Sequence, residues 1–157
     1  MGILELGHTG LYVNDLEVMA DFYEHIVGLT VTGRDQRLGM VFLSSQPDLE
    51  NHELLLVKGR QAPSDVKLSH QISWRVDSLE TLLEFHRRFR EENVDVQQEV
   101  THGNAFGIYF YDPERNRNEV YLRFDRDVRQ PFKKSLNLDL SPEEIFEQAE
   151  QLLAGHK

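Results

Sequence analysis

Two histidines in this 157-residue chain, His8 and His70, open stretches that resemble one another, and one carboxylate, Glu119, stands near the start of an aromatic strand. Two imidazoles and a carboxylate make a facial triad, a set that grips a divalent metal on one side and leaves the other positions open. Imidazole must be neutral to ligate, which its ordinary pKa near neutrality allows. A buried Glu119 beside a cation would also have reason to stay ionised. Each residue alone has a plainer reading. A strand-opening histidine is most simply a hydrogen-bonded structural residue. Val120, Leu122 and Phe124 form an apolar face, which leaves Glu119, Tyr121 and Arg123 on a polar one. The pairing of His8 with His70 shifts the weight toward ligation, because a pseudo-twofold relation brings equivalent positions face to face. Of the other histidines, His52 and His102 sit at a strand start or strand-edge loop. His25 and His86 lie on helices among charged neighbours and His156 in the tail, which reads as surface.

The elements that must position these residues repeat. "LGHTGLYVNDLEVMADFYEHIVGLTV" and "LSHQISWRVDSLETLLEFHRRFREENVDV" share a layout of strand, helix start, amphipathic helix and β-branched strand. Further on, Pro47 pairs with Pro113 and Glu53 with Glu119. Each copy reads β-α-β-β-β. The first copy has strands near 4–13, 29–33, 39–45 and 52–58. Its helix is capped by Asn14 with Glu17, stops at Gly28, and buries Leu16, Met19, Phe22, Tyr23 and Ile26. The second copy has strands near 69–76, 94–100, 106–112 and 118–125. Its helix is capped by Asp77 with Glu80 and ends near 92. Modules therefore span 4–58 and 69–126, with the turn-rich linker 59–68 between them. An extension, 127–157, is irregular until Ser141-Pro142-Glu143-Glu144 opens a helix over about 142–153 with a capping box and an early proline. The fold expected is α+β: two paired βαβββ modules in one curved, mostly antiparallel sheet around a central cup, helices outside. In such a cup a polar strand face looks into a cavity rather than into solvent.

Composition narrows the partners. One domain of this length can bury a sizeable core. A formal charge of −10 repels phosphate backbones and anionic lipid, which argues against nucleic acid and membrane surfaces. Without cysteine there is no disulfide, thiolate metal site or cysteine nucleophile. No signal peptide or membrane-length apolar run is visible, so the cytoplasm is the expected compartment. A phosphate-binding glycine loop and a G-x-S-x-G elbow are both missing.

At the histidine before "TGLYVNDLEVMADFYEHIVGL" and at the "DPERNRNEVYL" ending, the sequence resembles the vicinal oxygen chelate superfamily, over about residues 4–126. That superfamily includes glyoxalases, fosfomycin-resistance enzymes, bleomycin-binding proteins and extradiol ring-cleaving dioxygenases. The resemblance implies a metal at the centre of the cup, with His8, His70 and Glu119 as ligands. Two stretches are similar to the extradiol branch in particular. "ENHELLLVKG" implies His52 as a general acid/base beside the metal, and "HGNAFGIYFYD" implies His102 and Tyr109 as hydrogen-bond partners of substrate oxygens. The implied cofactor is Fe(II), with Mn(II), Ni(II) and Zn(II) as alternatives. The implied partners are an aromatic diol and dioxygen.

Glu53 complicates this branch assignment. Glyoxalase-like members take a fourth ligand, a glutamate, from the first module, and His8, Glu53, His70 and Glu119 would supply isomerase or lyase chemistry without oxygen. Adjacent residues of a regular strand face opposite ways, so His52 and Glu53 compete for the cup. A third reading is a metal-free binding protein of the bleomycin-resistance kind, for which the triad would be superfluous. The extension has the length and apolar stripe either to cover the cup mouth or to dock on a second copy as a homodimer or higher homo-oligomer.

Overall fold

The computed structural model describes residues 5–155, so position 4 of the strand expected over 4–13, and His156, lie outside the described part; within it that strand begins only at Thr9. The chain forms two compact units, one of residues 1–67 with 113–115 and one of residues 68–112 with 116–157. Each carries the expected βαβββ order, and each hydrogen-bonds as its own sheet.

In unit 1 the strands are β1 (Thr9–Val13), β2 (Thr30–Asp35), β3 (Met40–Ser44) and β4 (Leu54–Lys58), in the order β1-β4-β3-β2. Only the β1–β4 pair is parallel. Helix α1 (Leu16–Asp21) runs into a π-helical stretch (Phe22–Ile26) and lies against β3 and β4. The wider turn is closed by the Val27 N–H donating to the Phe22 carbonyl, 3.2 Å, and chain direction then changes at Gly28 with φ 85°. Met19, Ala20 and Tyr23 from this helix meet Val41, Leu43, Leu54 and Leu56 in a fully buried core. The cap is Asp15 rather than Asn14: its carboxylate accepts from the N–H groups of Glu17 and Val18. Asn14 and Asp15 instead donate to Glu114, Asn14 through N–H at 2.6 Å and Nδ2 at 3.0 Å, Asp15 through N–H at 2.8 Å.

Unit 2 contains β5 (Ile72–Val76), α2 (Leu79–Glu91), β6 (Asp95–Thr101), β7 (Ala105–Tyr111), β8 (Arg117–Arg123), β9 (Lys134–Ser135) and α3 (Pro142–Ala154). Its sheet order is β5-β8-β7-β6-β9, with β5–β8 parallel. Ser78, not Asp77, caps α2 by accepting from the Thr81 N–H at 3.1 Å, while Asp77 accepts from the Thr81 hydroxyl. The Ser141 capping box and Pro142 at the start of α3 are as the sequence predicts. The irregular stretch before α3 supplies a short fifth strand, and Phe146 of α3 rests against Phe106 and Phe124.

His86 is not a surface residue: 7 % exposed, its Nδ1 faces Glu99 at 2.8 Å and its Nε2 faces Asp139 at 3.2 Å. The ring thus bridges β6 and the extension through two carboxylates. Arg90 also pairs with Asp139. The hydrogen bonds of His86 and Arg90 hold the Asp139 carboxyl below its usual range.

Candidate functional site

Strand register builds the polar face of unit 2. Ser73, Glu119 and Tyr109 are directly paired across β5, β8 and β7, so their side chains form one row on one face. Glu119 is 7 % exposed, which settles the two readings of its strand against the wet one. Its Oε2 accepts from Ser73 Oγ at 2.7 Å and from Gln71 Nε2 at 3.0 Å. Its Oε1 lies over Gly107, where a Cβ would come within 2.7 Å. The missing side chain is what makes room for the carboxylate. Among the described residues no Lys, Arg or His forms an ion pair with Glu119.

Tyr109 is buried beside this carboxylate. Loss of water first, then hydrogen bonding to Glu119 and its negative charge, push the phenol up to about 12, with Arg117 pulling the other way. His102 Nδ1 sits 3.0 Å from the Phe132 carbonyl, which can only accept, so that nitrogen carries hydrogen. Nε2 of the neutral ring is then the acceptor for the Tyr109 hydroxyl at 3.1 Å. Gln130 fastens the same loop by donating to the His102 carbonyl. His102, Tyr109 and Glu119 are therefore brought together on one face of unit 2.

In unit 1, His8 directly precedes β1, and its ring centroid is 4.6 Å from that of His52 and tilted 41°. Phe42 meets the His52 ring edge-on at 5.2 Å. Asn51 Nδ2 contacts His52 Nδ1 at 3.3 Å, which leaves Nε2 carrying hydrogen in the neutral ring. Glu53 is engaged elsewhere: its Oε2 accepts from both the N–H and the hydroxyl of Ser45, each at 2.6 Å. It also precedes β4, whereas Glu119 is the third residue of β8, so the two are not equivalent positions. His70 is exposed and separated from β5 by Gln71; the residue adjoining Glu119 from that stretch is Gln71.

Sequence reasoning passed over Gln71, Ser73, Gly107, Arg117 and Lys133. Gln71, Ser73 and Arg75 alternate with Ile72, Trp74 and Val76, a period-two signal for a second polar face that could have found the first two. Imidazole and carboxylate are the donor types a divalent cation takes, and the chain carries them at His8 in unit 1 and at His70 and the buried Glu119 in unit 2. Among the described residues no three His, Cys, Asp or Glu side chains gather into a group that could hold a metal ion.

These observations meet the comparisons with known proteins. The family model of the Glyoxalase/Bleomycin resistance protein/Dioxygenase superfamily matches residues 5–120, and the chain belongs to that superfamily. Its members are generally enzymes and usually bind a divalent metal. No curated protein matches the sequence. Among solved structures, lactoylglutathione lyase from Agrobacterium tumefaciens is similar with TM-score 0.60 at 20 % identity, covering 78 % of this chain and 96 % of that one. Fosfomycin resistance protein FosX from Listeria monocytogenes gives TM-score 0.61 at 20 % identity, covering 77 % and 94 %. A glyoxalase/bleomycin resistance protein/dioxygenase from Alicyclobacillus acidocaldarius gives 0.60 at 14 % identity, covering 78 % and 93 %. At such identities the likeness shows the fold alone. No described helix is long and apolar enough to cross a membrane.

Proposed function

We propose that this chain is a metal-assisted enzyme for a small substrate with two neighbouring oxygens, and specifically an extradiol-type dioxygenase that cleaves a catechol-like ring. The supporting observation is the hydrogen-bonded His102–Tyr109 pair beside Glu119. His8, His70 and Glu119 would hold the cation, with Fe(II) the metal that suits ring cleavage. When bound, it would supply Lewis-acid polarisation of both substrate oxygens.

The chain's own groups do the rest. A phenol ionising near 12 keeps its proton at any working pH, so Tyr109 acts as a hydrogen-bond donor and not as a base. At rest that hydrogen goes to His102 Nε2; with substrate in place the hydroxyl would turn it onto the substrate oxygen and stabilise negative charge developing there, while His102 positions the phenol. His52 is the acid/base, since an imidazole can both take and return a proton near neutrality. Gln71 and Ser73 hold the Glu119 carboxylate in one orientation.

The names of the solved neighbours favour a second reading, a glyoxalase-like metal-dependent isomerase or lyase that needs no dioxygen. One experiment separates them. Protein loaded anaerobically with Fe(II) is mixed with catechols, exposed to air and followed for the yellow ring-opened product. In parallel, Ni(II)- and Zn(II)-loaded protein is offered a hemithioacetal of a 2-oxoaldehyde. Ring opening that disappears in His52→Ala supports the dioxygenase. Turnover of the hemithioacetal alone replaces it with the second reading.

A further inference from the structure

Two cations lie against a single ring in unit 2. The guanidinium carbon of Arg117 is 4.0 Å from the Tyr109 ring centroid, and Lys133 Nζ is 4.7 Å from it. Neither has a carboxylate ion-pair partner among the described residues. Arg117 is held by neutral groups instead: Nε donates to Gln97 Oε1 at 2.8 Å and Nη1 to Gln71 Oε1 at 2.7 Å. Those two bonds leave further guanidinium N–H groups available. A chain with 27 acidic and 17 basic residues has carboxylates in excess, so two neighbouring cations without one are against the composition. The ring face attracts each of them weakly but neutralises neither. Glu119 is an acid on the same polar face, and its Oε2 accepts from Gln71 and Ser73.

We propose that Arg117 and Lys133 form a subsite for an anionic substituent, a carboxylate carried on the aromatic ring of the substrate. Arg117 supplies a planar fork suited to a carboxylate, positioned by two amides on the same polar face as Glu119. Lys133 comes from the extension and supplies a compact point charge against the same ring. Loss of water and then the Arg117 charge lower the pKa of Lys133, with the Glu119 carboxylate pulling the other way, as expected of a cation near both a like charge and an acid. The aromatic-diol part of this substrate class rests on the function proposed above, whereas the anion subsite does not.

The test is equilibrium binding under anaerobic conditions, comparing 3,4-dihydroxybenzoate with its methyl ester. The acid should bind about tenfold tighter, the size of one partly exposed charge-assisted bond. Raising NaCl to 0.5 M should narrow the gap, because salt screens exposed charge. Arg117→Gln and Lys133→Met should each narrow it too, and the second lies at an exposed position where folding is undisturbed. Equal affinity for acid and ester, a gap indifferent to both substitutions, or no binding of either ligand overturns the subsite. If the gap holds while no diol is cleaved, the dioxygenase reading falls and the subsite stands. Cleavage without a gap has the reverse meaning.

Discussion

Replacing Gly107 by alanine would add one methyl group directly against the candidate site. The new Cβ would meet Glu119 Oε1 at 2.7 Å, about 0.7 Å short of ordinary contact, with Cγ and Cδ at 3.6 Å. Gly107 does not use the left-handed backbone region, so the substitution carries no backbone strain. Taken alone it would even favour folding by roughly 0.5–1 kcal/mol, because alanine loses less backbone freedom in a strand than glycine. Any penalty must therefore come from the carboxylate. Glu119 is buried and tied to Ser73 and Gln71, so it cannot withdraw without lengthening bonds of 2.7 and 3.0 Å. Hydrogen bonds to a charged group contribute about 1.5–3 kcal/mol each, so disturbing one outweighs the backbone gain and leaves a net loss of about 1–2 kcal/mol. Urea denaturation of a double-mutant cycle with Glu119→Ala isolates this clash. In the Glu119→Ala background the methyl group has nothing to meet, and Gly107→Ala should be neutral or mildly stabilising. Additive effects of the two substitutions would refute the reasoning.

Ultraviolet titration should show one of the five tyrosines ionising near 12, and Glu119→Gln should move it down by removing charge. Because that folded value lies above the ordinary 10.0, the associated stability is complete below pH 10 and is lost as pH rises toward 12, which alkaline melts can follow. His86→Ala removes both bonds to Glu99 and Asp139 and should cost about 2–3 kcal/mol; proteolysis of the extension should quicken, and unchanged resistance counts against the clamp. Glu114→Ala takes the carboxylate from the buried Arg60, which keeps its backbone carbonyl partners, and leaves three donors on Asn14 and Asp15 without theirs, so about 3 kcal/mol should be lost in urea melts. Ser141→Ala removes a helix cap and should cost about 1 kcal/mol, seen as fraying of α3 in amide exchange.

The periodicities that reveal strands and helices are local, and every element of both modules could be placed from them within a few residues. Helix caps were harder, because Asn14 and Asp15 are equally good cap formers. What decides between them is Glu114, a hundred positions away, which takes the Asn14 donors. Register was the larger gap. Counting along the chain equates Glu53 with Glu119, but pairing places one before its strand and the other within it. His86 misled for a related reason: charged neighbours on its helix suggest solvent, yet Glu99 and Asp139 arrive from distant segments to bury it. Glu119, Tyr109 and His102 came from the family resemblance rather than from local pattern, although two adjacent strands and one loop hold them close in sequence. Lys133 was not legible, since nothing local says where an irregular extension will lie.

β9 gives the extension a duty unconnected with chemistry. By pairing with Val100 and Thr101, and through the Leu136 N–H on the Glu99 carbonyl, it occupies the outer rim of β6. Left bare, that rim would present unused peptide groups to any other chain, the usual starting point of strand-to-strand polymerisation. A chain trimmed after Arg126 would keep both modules and lose that guard, trading a well-behaved protein for an adhesive one.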